Sequence, residues 1–146
     1  MLPSLRNTRQ TNQPLPVPLQ QQRLRQVLLM SNPQKQKGSA YERSIVRYLT
    51  LQGFDVERTR AGWADDRGDI HGIAHPVMGN FTIECKNQKT IALSGWLTEL
   101  EREREANGGG LGAVVHKRQR TTDSEEQYAT LPLWMLVQLL VSAGYK

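Results

Sequence analysis

Phe81-Thr82-Ile83-Glu84-Cys85-Lys86 is the stretch on which the fold turns. Its alternation predicts a strand with Phe81, Ile83 and Cys85 on one face and Thr82, Glu84 and Lys86 on the other. The first set suits a core. The second holds a carboxylate and an ammonium with Cα atoms about 6–7 Å apart, the rise of two strand residues. Charge on a half-buried strand is costly unless something charged belongs between the two groups. A divalent metal and a phosphate meet that need; the plain alternative is an edge strand carrying a solvated ion pair.

Working outward, the chain of 146 residues has room for one domain with a proper core, plus a tail. Its apolar runs are interrupted within about ten residues, too short for a membrane span. The single cysteine, Cys85, excludes an internal disulfide and any multi-cysteine zinc site, which suits a reducing, cytoplasmic setting. On the apolar face of its strand, Cys85 reads as small core filler.

The net charge of +5 is unevenly spread. Up to residue 41 the chain holds Arg6, Arg9, Arg23, Arg25, Lys35 and Lys37 and no acid, whereas the remainder has 13 basic and 14 acidic residues. A basic arm on a near-neutral body is an arrangement for binding a polyanion, because Lys and Arg displace phosphate counterions. The body's acids then need another purpose, and metal binding is one. Residues 1–36 are rich in Gln and Pro and read as mostly disordered, with a short helix over Leu19–Met30. The acid-free start is like a transit peptide but lacks its Ser richness, and there is no secretory signal. A flexible nucleic-acid tether or a dimer contact is the expected role.

From Gly38 the character changes. Ser39-Ala40-Tyr41-Glu42 has capping-box spacing and predicts a helix opening there and stopping at Gly53. Glu42 lies within about 60° of Ile45, Val46 and Leu49 on that helix, so its carboxylate points along the buried stripe rather than only back to the amide of Ser39. Residues 54–60 predict a first strand, and Asp69–Ala74 a second. The turn around Pro76–Asn80 joins the latter to the opening stretch, making an antiparallel hairpin with Asp69 close to Glu84. Ser94 is the expected N-cap of a helix over Gly95–Ala106, with Glu99, Glu101, Arg102, Glu103, Arg104 and Glu105 as a solvated face. Leu111–His116 reads as a buried strand, Tyr128–Leu131 as a last strand, and Pro132 as the first residue of a closing helix, Leu133–Ser142. The order is αβββαβ(β)α, a mixed α/β sheet flanked by helices.

Glu42, Asp69, Glu84 and Lys86 converge in this arrangement. Ligation by carboxylate oxygen alone suits Mg²⁺ or Mn²⁺. Such a site activates water and stabilises the charge that grows on a phosphodiester during in-line displacement.

In these residues the chain resembles the PD-(D/E)xK nuclease superfamily, and most closely the archaeal-type Holliday junction resolvases and similar phage resolvases. The resemblance runs from Lys37 to about Leu140. It rests on Lys37-Gly38-Ser39-x-x-Glu42-Arg43, Gly68-Asp69-Ile70 and Ile83-Glu84-Cys85-Lys86. It implies a restriction-endonuclease-like fold, metal held by Asp69, Glu84 and the backbone carbonyl of Cys85, and help from Glu42, often through water. It also implies a Lys86 that orients or deprotonates the attacking water. Gly68 departs from the motif, which has proline before the first acid.

Flanking groups complete the expectation. Lys37 and Ser39 at a helix start can hold a phosphate, or simply cap it. Arg58, Arg60, Gln88, Lys89, Lys117 and Arg118 lie where they can meet a DNA backbone, as does His116, or else they end a strand in solvent. His71 shares the face of Asp69, although a lone histidine is more often structural. Trp63 can stack on an unpaired base or fold back onto the core. The expected activity is Mg²⁺-dependent cleavage of branched DNA, foremost four-way junctions, in recombination, repair or phage DNA processing. Two opposed cuts imply a C2 homodimer, with Leu133–Val141 a candidate contact. A restriction-like, nicking or repair nuclease is the alternative substrate class, and a non-catalytic DNA-binding protein the alternative function.

Overall fold

The computed structural model describes residues 18–23, 32–60, 62 and 66–145. Residues 19–23 are helical; the rest of the helix expected up to Met30 lies outside the described residues. The compact unit that carries the sheet is Pro33–Lys146.

That unit opens with helix α1 (Pro33–Leu51), followed by short strands β1 (Glu57–Arg58), β2 (Ile70–His71), β3 (Ala74–His75) and β4 (Gly79–Asn80). The opening stretch of the sequence analysis is β5 (Thr82–Lys86). Helix α2 (Leu93–Ala106), β6 (Gly112–His116), β7 (Tyr128–Thr130) and helix α3 (Leu133–Ser142) complete it. One sheet runs β1-β2-β5-β6-β7, and β3 pairs with β4 separately. Within the larger sheet β5 and β6 are parallel and the other pairs antiparallel. This is the mixed α/β, restriction-endonuclease-like architecture expected from the sequence.

Strand β5 is therefore central, and the edge-strand alternative is wrong for it. Both of its faces are covered. Ile83 joins Ile70, Tyr41 and Ile45 beneath α1, with Phe81 and Cys85 packed around them. The opposite face meets α2, whose Trp96 and Leu100 pack on Val114 of β6. The parallel register sets Glu84 beside Val114 and Lys86 beside His116. The acid and the base thus lie under α2, while α1 covers apolar side chains.

Three local expectations need correction. Helix α1 starts at Pro33, so Ser39 and Glu42 lie inside it and form no capping box. Asn32-Pro33 is the stronger start signal: asparagine suits an N-cap, and proline fits the first helical position. Helix α2 starts at Leu93 after Ala92; Ser94 is inside it, its carbonyl accepting from Thr98 Oγ1. The strand expected over residues 54–60 shrinks to Glu57–Arg58, and the one over Asp69–Ala74 breaks after His71. Pairing reaches only as far as the neighbour does: β1 and β2 share two residue pairs, and β2 meets β5 at Ile70↔Ile83 alone.

Helix ends, by contrast, follow the glycines. After α1, Gly53 donates to the Thr50 carbonyl and Phe54 to that of Leu49. After α2, Gly108 donates to Glu105 and Gly109 to Arg104. Both are Schellman turns, with the first glycine in the left-handed region.

Candidate active site

Asp69 reaches the sheet through a sharp turn. Gly68 has φ +90, and a Cβ there would stand 2.9 Å from both the Ile83 carbonyl oxygen and Thr82 Cγ2. The turn lets the Asp69 amide donate to the Ile83 carbonyl at 2.8 Å, while Asp69 Oδ2 accepts from the Cys85 amide at 2.8 Å. The carboxylate is thereby pinned across β5, within hydrogen-bonding reach of Glu84. Lys86 Nζ donates to Glu84 Oε1 at 2.7 Å and to Glu99 Oε2 at 2.5 Å.

The electrostatics follow from that crowding. Burial first, then the Glu84 charge, pushes Asp69 up to about 7 against the opposing pull of the Cys85 amide. Burial also pushes Glu84 up to about 8, although its hydrogen bond from Lys86 works the other way. For Lys86, burial favours the neutral amine, but hydrogen bonds to Glu84 and Glu99 outweigh it and raise the pKa. The ammonium is firmly protonated. Buried acids this close together need either a cation beside them or a proton on one of them.

Glu42 is brought to the edge of this group from α1. Its charge contributes to the raised pKa of Asp69. Its nearest partner is Arg58, whose Nε donates to Glu42 Oε2 at 2.7 Å and whose Nη2 donates to Ser39 Oγ at 3.1 Å. Arg58 and Ser39, both expected at a phosphate, are thus linked to the Glu42 carboxylate.

The other flanking residues are more dispersed. Arg60 and His71 both pair with Glu57, at 3.8 and 3.2 Å. The Lys37 carbonyl accepts from Asn87 Nδ2 at 3.4 Å, and the Gln88 carbonyl from Gln119 Nε2 at 3.4 Å. Lys37, Gln88 and Lys89 are exposed. Lys117 Nζ bonds the Thr121 carbonyl. Arg118 lies 3.8 Å from Glu126 and over the Tyr128 ring. His116 is buried between Trp96 and Tyr128, bonded to Thr130, and burial lowers its pKa. It is a core side chain, not one exposed for a phosphate. Trp63 lies outside the described residues.

Sequence reasoning missed two acids on α2. Glu99 holds Lys86, and Glu103 is 1% exposed, far from the solvated face assigned to it. One oxygen each of Glu84, Glu99 and Glu103 lie within 4.8 Å of one another. The signal was present: Trp96, Leu100, Glu103 and Asn107 recur at helical spacing and are all buried. Asn107 Nδ2 in turn donates to Thr82 Oγ1 at 3.0 Å.

For a divalent ion the donors suit magnesium or manganese. Asp69 and Glu84 offer hard carboxylate oxygens side by side, and the burial that raises both pKa values is a setting in which a cation favours their charged forms.

Residues 33–95 match the family model described as archaeal Holliday junction resolvase, a PD-(D/E)xK nuclease-type family. The match covers Glu42, Asp69, Glu84 and Lys86 and stops short of Glu99 and Glu103. No curated protein matches the chain.

Proposed function

We propose, from a chain whose residues 33–95 carry the archaeal Holliday junction resolvase pattern, that this protein is a Mg²⁺-dependent endodeoxyribonuclease acting on four-way DNA junctions. The observation that carries the reading is the pinning of Asp69 to the Cys85 amide at 2.8 Å, which holds it beside Glu84 while Lys86 stands on Glu84.

Asp69, Glu84 and the Cys85 carbonyl would hold the ion, with Glu42 assisting from α1, and Mn²⁺ would substitute for Mg²⁺. The ion supplies Lewis acidity toward the phosphodiester and a better nucleophile from water. Lys86 orients the attacking water and stabilises charge on the phosphoryl oxygens. Arg58, fixed by Glu42 and Ser39, links the helix-borne acid to the DNA-facing surface. Lys37, Ser39, Arg60, Gln88, Lys89, Lys117 and Arg118 contact the DNA backbone, and the basic segment before α1 tethers it.

Opposed cuts on two strands call for two copies of the site, so the working unit is a C2 homodimer. Helix α3 supports this reading. Leu133, Trp134, Leu136, Val137, Leu140 and Val141 are exposed, and only Met135 of that helix is buried. Such an apolar face is in keeping with an obligate interface. Among the described residues no helix is long and apolar enough to cross a membrane, in keeping with action on DNA in the cytoplasm of a bacterial or phage-infected cell.

Cleavage of labelled junctions and matched duplex in Mg²⁺ or Mn²⁺ tests the proposal. Wild type is expected to cut junctions, and Asp69→Ala to bind without cutting. Equal cutting of duplex and junction replaces the resolvase with a restriction-like, nicking or repair nuclease of the same fold. No cutting by wild type in either metal leaves a DNA-binding protein.

A further inference from the structure

Glu103 is the most deeply buried acid of the described residues, and its Oε2 meets no hydrogen-bond partner. A carboxylate oxygen in that state is costly, and the described cations of β5 and α2 are engaged elsewhere. Lys86 is held by Glu84 and Glu99, Arg102 reaches Asp66, and Arg104 pairs with Glu101. Around β5 four acids, Asp69, Glu84, Glu99 and Glu103, therefore face one ammonium.

We propose that Glu99 and Glu103 join Glu84 in a second divalent-cation position, so that Glu84 bridges two ions. The spacing suits it. Oxygens around Mg²⁺ stand about 3 Å apart when adjacent and about 4 Å apart when opposite, and the three carboxylates offer oxygens within 4.8 Å of one another, so small side-chain rotations bring them onto one ion. Glu99 and Glu103 are one helical turn apart on α2, so both project toward β5 from a rigid element. The second ion competes with Lys86 for Glu99. With Glu99 taken, the ammonium would keep only its bond to Glu84. The proposal rests on the nuclease reading only in sharing Glu84, and Glu99 and Glu103 lie beyond the matched residues 33–95.

The test counts Mn²⁺ bound to the full chain without DNA, from the electron paramagnetic resonance signal of free Mn²⁺ during titration. Wild type is expected to take up two ions per chain; Glu103→Gln and Asp69→Asn each lose one of them. Glu99→Gln, on a more exposed carboxylate, repeats the loss if the buried variant folds poorly. One ion in wild type, lost in Asp69→Asn and kept in Glu103→Gln, overturns the second position and leaves the nuclease reading intact. Binding of no Mn²⁺ by wild type also overturns it, and junction cleavage then judges the nuclease reading separately.

Discussion

The two faces of β5 are buried almost equally and filled in opposite ways. Ile83, toward α1, is 4% exposed, and Glu84, toward α2, is 6% exposed. On the α1 side the neighbours are Tyr41 and Ile45 of that helix and Ile70 of β2. Beneath α2 they include Thr82, Glu103 and Asn107. An apolar face stabilises a fold by about 25 cal/mol for each Å² withdrawn from water. A buried carboxylate costs several kcal/mol unless it is paired. One face therefore holds the sheet together, and the other spends part of that stability on keeping charge where chemistry can use it.

The sharpest way to break the comparison is to change one residue on each face. Glu84→Gln is expected to lower junction cleavage by about 100-fold or more, as for loss of a preorganised transition-state group, with no fall in melting temperature. Ile83→Ala is expected to cost about 2–5 kcal/mol by opening a cavity, measured by denaturant unfolding. A Glu84→Gln protein that unfolds as readily as Ile83→Ala would erase the division of labour.

A smaller effect separates the faces by pH. Unfolded carboxyl groups titrate near 4, whereas Asp69 is held at about 7 and Glu84 at about 8. Between those limits the folded chain binds more protons than the unfolded one, so stability falls as pH rises from about 4 to 8. Melting of metal-free protein is expected at a higher temperature at pH 5.5 than at pH 8.5. Added Mg²⁺ should restore stability at the alkaline end, where the carboxylates are free to bind it. A melting temperature that climbs with pH in metal-free buffer would show these acids already paired.

The smallest effect sharpens the polar side. Thr82→Val removes the acceptor of the 3.0 Å bond from Asn107 and should cost about 1 kcal/mol while leaving metal binding unchanged. A larger loss would make the Thr82–Asn107 pair a structural element in its own right.

How much of this could be read from residues alone differs by element. The alternation of 81–86 specified the strand, and the spacing of Glu84 from Lys86 placed both on one face. Glycines after α1 and α2 marked where those helices stop, because a left-handed residue is a local event. The start of α1 went unread because capping-box spacing at Ser39 outweighed the Asn32-Pro33 pair. The lengths of β1 and β2 depend on which strand lies alongside, which no local pattern contains. Glu99 and Glu103 were assigned to solvent because a charged run on a helix ordinarily faces it. Only the sheet's placement against α2 shows that this stripe meets Glu84.

Gly68 carries a consequence for anyone tempted to repair the motif. Proline, the residue the motif has there, is ring-locked near φ −65, and Gly68 turns at φ +90. The two ways of leading the backbone up to the acid are mutually exclusive. Writing the consensus letter back in would swing Asp69 off the Cys85 amide, so the apparent defect in the signature is the very thing that aims its first acid.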